Sequence, residues 1–165
     1  MRGHIAHVFQ EDNFDVDKII GVENKNLYQA DELARVAMDN IDSSFRSRVK
    51  VGDFLVGGRN FGYGKPHYQA MLAMRTLGVK AVIAESFYHG YIDGEMNSGF
   101  PQVACPGIQE NSRVGDFLEI NYRDATVTNQ TSGRVLPFER MSDFELNVLG
   151  AGGIVEWLKQ RKGLA

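Results

Sequence analysis

Apolar residues in the middle of the chain follow two spacings in turn. A short apolar run over 53–56, entered through a Gly-Asp turn, has the length of a buried strand. The next apolar positions recur at helical spacing: Met71, Leu72, Met74 and Leu77. Gly78 supplies a left-handed end for this helix, and a second apolar run covers 79–84. Strand, helix and strand in this order predict a right-handed βαβ crossover between parallel strands.

The same pattern predicts elements on both sides of this unit. On the N-terminal side we expect a strand over 4–9, a polar loop over 21–29 and a helix that begins at Asp31. The apolar positions of that helix are Leu33, Ala34, Ala37 and Met38. On the C-terminal side the expected elements are a helix from Glu85, a strand over 102–105, a hairpin of 117–122 with 125–129, a run over 134–138, and helices from Asp143 and through 154–158. No linker separates these elements, so the pattern predicts one α/β domain over residues 1–165, with a βαβ core and an additional β-hairpin.

A glycine-rich turn joins the first central strand to its helix and is the first candidate site. Gly62 and Gly64 let the backbone come close to a ligand, and Pro66 suits a first helical turn. A helix N-terminus attracts anions, and Lys65 and His67 add positive charge beside it, so the predicted ligand is a phosphate or a carboxylate. A tight turn that only requires glycine explains the pattern equally well. A Walker A phosphate loop is excluded, because Pro66 stands where Ser or Thr is required.

Composition narrows the function classes. Of 165 residues, 43 % are hydrophobic and the net charge is −3, which indicates a globular protein and argues against nucleic acid as the main partner. No apolar run approaches the roughly 20 residues that span a membrane, and the N-terminus does not resemble a signal peptide. The single cysteine, Cys105, lies in an apolar setting and is expected to be a buried hydrophobe, with no metal site on this chain. We therefore expect a cytoplasmic protein that contacts neither membrane nor nucleic acid.

Two carboxylates near the N-terminus allow two interpretations. Asp15 and Asp17 are one residue apart and would share a face in an extended segment, where they could do acid–base work or bind a metal. Aspartate more often caps turns and orients backbone, and we expect that role for the pair. The following Ile19 and Ile20 anchor the segment to the core.

Taken together, several motifs resemble a known family. They are Asp15-Val16-Asp17-Lys18-Ile19-Ile20, Gly52-Asp53, Gly58-Arg59-Asn60-Phe61-Gly62-Tyr63-Gly64, Gly78 to Phe87, Gly99-Phe100-Pro101 and Gly152-Gly153-Ile154. In order and spacing they resemble the small subunits of 3-isopropylmalate dehydratase and homoaconitase, equivalent to the swivelling domain of aconitase. The resemblance covers nearly the whole chain and implies a swivelling β/β/α domain of the aconitase C-terminal type.

The resemblance also implies a function. Small subunits of this family complete an active site on a large subunit, as a heterodimer or heterotetramer, and the large subunit carries a [4Fe–4S] cluster. No cofactor is then expected on this chain. The implied reaction moves a hydroxyl between adjacent carbons of a 2-hydroxy di- or tricarboxylic acid by dehydration and rehydration. The implied substrate-binding residues of the glycine-rich loop are Asn60, Gly62, Tyr63, Gly64 and His67.

The chain departs from the family where the chemistry lies. The family pattern continues after the second loop glycine as Ser-Ser-Arg-Glu-His-Ala, whereas this chain has Lys65-Pro66-His67-Tyr68-Gln69-Ala70. Lys65 stands at the family's serine base, and neutral lysine is a competent general base, so Lys65 is the predicted catalytic residue. His67 replaces the family arginine that holds a substrate carboxylate, without its bidentate fork. Asp15 and Asp17 are expected to support the site.

Substrate choice is expected to lie in the segment after Gly21, at Val22, Asn24 and Asn26. The polar composition of 21–28 favours a substrate other than one with an isopropyl group. Three functions stay open on the sequence: a hydro-lyase subunit for another substituted malate, ordinary 3-isopropylmalate isomerisation with altered side chains, and a non-catalytic carboxylate-binding or regulatory module of the same fold.

Overall fold

Seven strands form one sheet in the order β4-β3-β2-β1-β5-β6-β7 in the computed structural model, which describes residues 1–164. The strands are β1 (Arg2–Val8), β2 (Phe54–Gly57), β3 (Ala81–Ala84), β4 (Gln102–Ala104), β5 (Phe117–Asn121), β6 (Thr126–Asn129) and β7 (Arg134–Pro137). Strands β1 to β4 pair in parallel, and β5, β6 and β7 continue the sheet as an antiparallel meander beside β1. The predicted parallel pairing of the two strands of the βαβ unit and the predicted hairpin of β5 with β6 are therefore confirmed.

Six helices and two 3₁₀ turns accompany the sheet in the described residues. The helices are α1 (Ala30–Val36), α2 (Phe45–Arg48), α3 (Tyr68–Thr76), α4 (His89–Asn97), α5 (Asp143–Ala151) and α6 (Ile154–Arg161). The 3₁₀ turns cover Val16–Ile19 and Val22–Asn24. Helix α5 begins with a capping box, since Ser142 and Glu145 each bond the backbone of the other, and it ends at the left-handed Gly152.

Strands β2 and β3 are buried on both faces, which explains why they read as continuous apolar runs. Alternate side chains enter different cores because successive residues of a strand point to opposite faces. Leu55 and Val82 join the core beneath α1 and α3, whereas Phe54 and Ile83 join the core shared with β5 and β6. The sheet thus lies between two hydrophobic layers.

Three predicted boundaries are wrong. Helix α1 ends at Val36, because Ala37 is extended and Met38 is left-handed with φ 68°, although both side chains are buried. Helix α3 begins at Tyr68, so Pro66 precedes the helix instead of lying in its first turn. Helix α4 begins at His89 and not at Glu85, whose carboxylate accepts hydrogen bonds from the backbone after β4.

The two strands that flank β1 are entered through the same turn. The carboxylate of Asp53 accepts the backbone N–H of Lys50 at 2.9 Å, and that of Asp116 accepts the N–H of Arg113 at 3.0 Å. In each case the carboxylate closes a turn of four residues, 50–53 and 113–116, and aspartate is common in turns. The repeated sequence Val-Gly-Asp-Phe-Leu therefore forms the same turn before β2 and before β5.

The end of α4 packs backbone to backbone against the turn between α5 and α6. A Cβ atom on Gly99 would lie 2.3 Å from the carbonyl carbon of Gly152, a distance at which a side chain has no room. A Cβ on Gly153 would in turn lie 2.9 Å from the carbonyl oxygen of Asn97 at the end of α4. Two sequence motifs far apart in the chain thereby meet, and the contact requires Gly99 in one and Gly153 in the other.

Candidate functional site

The glycine-rich loop between β2 and α3 lies at the carboxyl edge of the parallel strands, where α/β sheets commonly bind ligands. Segments that follow the neighbouring strands hold it. The carbonyl of Phe14 accepts the N–H groups of Gly62 and Tyr63 at 3.0 and 3.2 Å. On the other side, Phe61 donates to the carbonyl of Ser86 at 3.0 Å and accepts the N–H of Tyr88 at 2.9 Å.

A buried aromatic ring anchors the loop. Phe61 is fully buried, stacked on Phe14 with ring centroids 5.5 Å apart, and it meets Phe9 and Tyr91 at 5.4 and 5.7 Å. This ring points into the core and Gly62 beside it is also buried, whereas Tyr63, Lys65 and His67 are exposed. The loop thus has a buried base at Phe61 and Gly62 and an exposed tip.

Asn60 and Tyr63, both predicted to bind substrate, lie on either side of this anchor. Asn60 is left-handed with φ 54°, and its amide nitrogen donates to Oδ1 of Asn13 at 2.7 Å. This side-chain hydrogen bond holds the loop to the segment after β1. Tyr63 is half exposed and meets the edge of the Tyr88 ring at 6.1 Å.

Gly64 and Lys65 form the exposed tip of the loop. A Cβ on Gly64 would meet the carboxylate of Asp15 at 3.6 Å, so this carboxylate lies against the loop backbone. The Lys65 side chain is exposed. Within residues 1–164 its ammonium has no ion-pair partner in the structure.

Asp15 and Asp17 do not lie in an extended segment, so the shared face allowed for by the sequence is absent. Oδ1 of Asp15 accepts the N–H of Asp17 at 3.0 Å and caps the 3₁₀ turn Val16–Ile19. This is the capping role that we expected of the pair. The turn also sends the Asp17 side chain inward while Asp15 stays near the surface.

The buried Asp17 carboxylate is the centre of the site. Its Oδ1 accepts the backbone N–H of His67 at 3.0 Å, and its Oδ2 lies 2.7 Å from the imidazole Nδ1 of His67. The ammonium of Lys25 lies 3.3 Å from the same Oδ2. The protein itself therefore places an anion at the start of α3, where the sequence predicted an external one.

The segment predicted to choose the substrate is tied to the same carboxylate through Lys25. The carbonyl of Lys25 also accepts Nε2 of Gln69 in α3 at 3.2 Å, so the segment is fastened at two points. Asn24 donates to the carbonyl of Ile20 at 2.7 Å and stabilises its own turn, whereas Asn26 is exposed. Sequence reasoning missed Lys25, because no local pattern joins it to residues 17 and 67.

This segment is less polar at its surface than its composition suggests. The side chains of Val22 and Tyr28 are exposed, at 68 and 62 %. Together with Tyr63 and Tyr68 of the loop region they give the neighbourhood of the site several exposed apolar and aromatic groups.

A cleft of about 280 Å³ opens between α3 and α4 beside His67. Its lining includes the guanidinium of Arg75 and the carboxyl of Glu95. Burial raises the pKa of Glu95 to about 7, and the positive charge of Arg75 opposes this shift. Arg75 is itself held by Oγ of Ser98 at 3.1 Å.

Side chains that could bind a metal ion do not cluster in the part of the chain that the structure describes. Cys105 is buried, as expected, and burial raises the pKa of its thiol to about 12. Across residues 1–164 no group of three or more His, Cys, Asp or Glu side chains is arranged to hold a metal ion. The same residues include no helix long and apolar enough to cross a membrane.

Comparison with known proteins gives consistent matches. Residues 2–99 match the family described as the Aconitase C-terminal domain. The isopropylmalate/citramalate isomerase small subunit of Methanocaldococcus jannaschii is 36 % identical over 149 residues, which cover 90 % of this chain and 89 % of the relative. The 3-isopropylmalate dehydratase small subunit of Thermodesulfovibrio yellowstonii is 36 % identical over 150 residues, covering 91 and 89 %. A crystal structure of 3-isopropylmalate dehydratase from M. jannaschii superposes with a TM-score of 0.87 at 32 % identity, covering 99 % of this chain and 95 % of that one.

Proposed function

Because this chain belongs to the aconitase C-terminal domain family and to its 3-isopropylmalate dehydratase small subunits, we propose that it completes the active site of a hydro-lyase. The substrate is a 2-hydroxy di- or tricarboxylic acid such as 3-isopropylmalate or a related substituted malate. The fold class and the family resemblance predicted from the sequence are confirmed by these matches.

One observation carries the proposal: the loop over 62–67 is displayed at the carboxyl edge of the sheet by a buried anchor. Lys65 and His67 lie on its exposed part, and among the described residues the only carboxylate that pairs with either of them is that of Asp17, against His67. A dicarboxylate is the anion that two such basic groups suit. We propose that these two residues supply the proton acceptor and the positive charge that the family's serine and arginine supply, with Lys65 as the acceptor predicted from the sequence.

The remaining loop residues have supporting roles in this proposal. The backbone of Gly64 lets a substrate approach closely, Tyr63 covers one side, and Asn60 holds the loop to Asn13. Gly62 is buried against Tyr91, so its proposed contribution to substrate binding is the conformation that it gives the loop. Asp15 and Asp17 hold the backbone that presents the two basic groups.

The residues of this chain do not fit an iron–sulfur cluster. Such clusters need several thiolates, whereas the chain has one cysteine, which is buried with its thiol held neutral by a raised pKa. We propose that the [4Fe–4S] cluster implied by the family resides on a large subunit, where it would supply a Lewis acid for the substrate hydroxyl. The partnership proposed here is therefore a complex of this chain with that large subunit.

Choice among substituted malates is proposed to lie in the segment 21–28. Val22 and Asn26 are exposed there and lie on the segment that Lys25 fastens to the site. Asn24 shapes the turn that presents them.

The test is turnover by the reconstituted complex. This chain is co-expressed with the large subunit of the same organism, the cluster is rebuilt without oxygen, and formation of unsaturated acid is followed from 3-isopropylmalate, citramalate, dimethylmalate and homocitrate. Turnover of any of these acids supports a hydro-lyase. A stable complex with an intact cluster that binds these acids without turning them over would overturn it in favour of a carboxylate-binding module.

A further inference from the structure

We infer that the two basic residues of the loop have exchanged the roles that the family gives to their positions. His67, oriented by Asp17, accepts the substrate proton, and Lys65 supplies the positive charge for a substrate carboxylate. The inference rests on the proposed function and revises its assignment of the acceptor.

The contact between Asp17 and His67 fixes which imidazole nitrogen carries a proton. A buried carboxylate only accepts hydrogen bonds, so Nδ1, 2.7 Å from Oδ2, must carry the hydrogen. In the neutral ring Nε2 then carries the lone pair. The His67 side chain is 46 % exposed, whereas that of Asp17 is 4 % exposed. His67, which carries the free nitrogen, is therefore the solvent-accessible member of the pair. An oriented imidazole with a free Nε2 is the arrangement of a general base.

The carboxylate that orients His67 is itself held in place. Its other oxygen accepts the backbone N–H of His67 at 3.0 Å, so side chain and main chain of one residue bind the same group. Lys25 approaches Oδ2 at 3.3 Å and balances the buried charge. The imidazole therefore has a fixed position relative to the start of α3, as a base needs.

Lys65 has the opposite character. Its side chain is exposed, and no group in residues 1–164 pairs with its ammonium. A flexible ammonium in water is a point charge that binds carboxylates without fixed geometry. A general base needs a fixed position, and no contact in the described structure fixes the Lys65 ammonium.

The step balances as follows. The C–H bond next to the hydroxyl-bearing carbon breaks, and its proton passes to Nε2 of His67. The electron pair of that bond forms the C=C double bond while the neighbouring C–O bond breaks. The hydroxyl leaves as water with a proton from an acid of the large subunit. In the reverse direction the His67 imidazolium returns its proton to carbon.

Two arginine substitutions separate the exchanged roles from the family roles. Arginine keeps a positive charge and cannot accept a proton in a protein. We expect Lys65→Arg to keep kcat within about tenfold, and His67→Arg to lower kcat by roughly 10²–10⁴-fold, the range of a lost general base. The opposite ranking, or equal losses in both variants, would overturn the exchange. His4→Gln, an exposed histidine beside Gly115, is the matched control and should leave kcat unchanged.

Asp17 is a positioning residue, and its role has a readout that does not depend on turnover. In ¹⁵N-histidine NMR of the full chain, assigned by comparison with His67→Gln, we expect His67 as the Nδ1–H tautomer. Asp17→Asn should convert it to Nε2–H, because an amide can donate to Nδ1. Finding Nε2–H in the unmodified chain would overturn the inference. Absence of turnover by the unmodified complex would instead defeat the proposed function, so the two failures are distinguishable.

Discussion

The ring of Tyr91 fills the space that a side chain on Gly62 would need. A Cβ atom built on Gly62 would lie 2.2 Å from Cγ of Tyr91, and the residue has φ +84°. The glycine is therefore required twice, by its conformation and by its neighbour. Helix α4, which carries Tyr91, therefore packs against the buried part of the loop at Gly62.

Gly62→Ala should destabilise the protein by about 1–3 kcal/mol, the usual cost of an overpacked or strained position. Gly94→Ala is the control, because no atom lies within 4 Å of a Cβ there, and alanine in this exposed helical position should stabilise by about 0.5–1 kcal/mol. Urea unfolding of both variants measures the difference. Equal stability of the two variants would show that the loop and α4 can separate freely.

Glu95 should make the folded state less stable at high pH. Burial raises the pKa of its carboxyl to about 7, whereas in the unfolded chain it keeps the ordinary glutamate pKa of 4.5. Well below pH 4.5 the carboxyl is protonated in both the folded and the unfolded state. As pH rises towards 7 only the unfolded state releases its proton, so stability falls, by about 2–3 kcal/mol at most.

The measurement is chemical unfolding between pH 4.5 and 8. Glu95→Gln should remove most of this slope and should be the more stable protein at pH 8. Glu32→Gln, an exposed carboxyl on α1, should leave the slope unchanged. A slope that survives in Glu95→Gln would assign the titration to other groups.

Cys105 should resist alkylation in the folded protein. It is fully buried, and burial raises the pKa of its thiol to about 12, so little thiolate exists at pH 8. Iodoacetamide followed by mass spectrometry should find no adduct until denaturant is added. Since the chain has one cysteine, a single adduct identifies the residue. Fast labelling without denaturant would mean that the core that Cys105 shares with β5 and β6 opens readily.

Exposed and structural positions of the segment 21–28 should behave differently. Val22→Ser and Asn26→Ser should change the ratio of kcat/KM between two substituted malates and leave stability within about 0.5 kcal/mol. Asn24→Ala should instead lower stability by about 1 kcal/mol, because it removes the hydrogen bond to Ile20. Competition assays and urea unfolding separate the two effects. An unchanged ratio after exchange of the whole segment with that of an isopropylmalate enzyme would place substrate choice elsewhere.

Most of the sheet could be predicted from the sequence because its signals are local. Continuous apolar runs give β2 and β3, and alternating residues give β5 and β6. The end of α1 could not be predicted in this way. Ala37 keeps the helical spacing because it is buried, while its backbone has already left the helix. Burial and helix are separate properties that periodicity does not distinguish.

The contacts of Asp17 with His67 and Lys25 could not be predicted from the sequence. Asp17 and His67 were both candidates, but they are 50 residues apart, and no pattern of spacing states that they touch. Lys25 was not a candidate at all, since an exposed-looking lysine in a polar stretch is ordinary. The family motif gave the position of the loop. The roles proposed for the residues that differ from the motif rest on their contacts in the structure.

The turn that sends Asp17 inward has a consequence for how this protein can change over evolution. One carboxylate fixes the imidazole of His67, the start of α3 and, through Lys25, the segment proposed to select the substrate. A mutation that adapts the protein to a new acid by reshaping that segment is therefore expected also to disturb His67, the residue proposed to accept the proton. We therefore expect new specificities in this lineage to arise through compensating pairs of substitutions at residues 17, 25 and 67, and seldom through single steps.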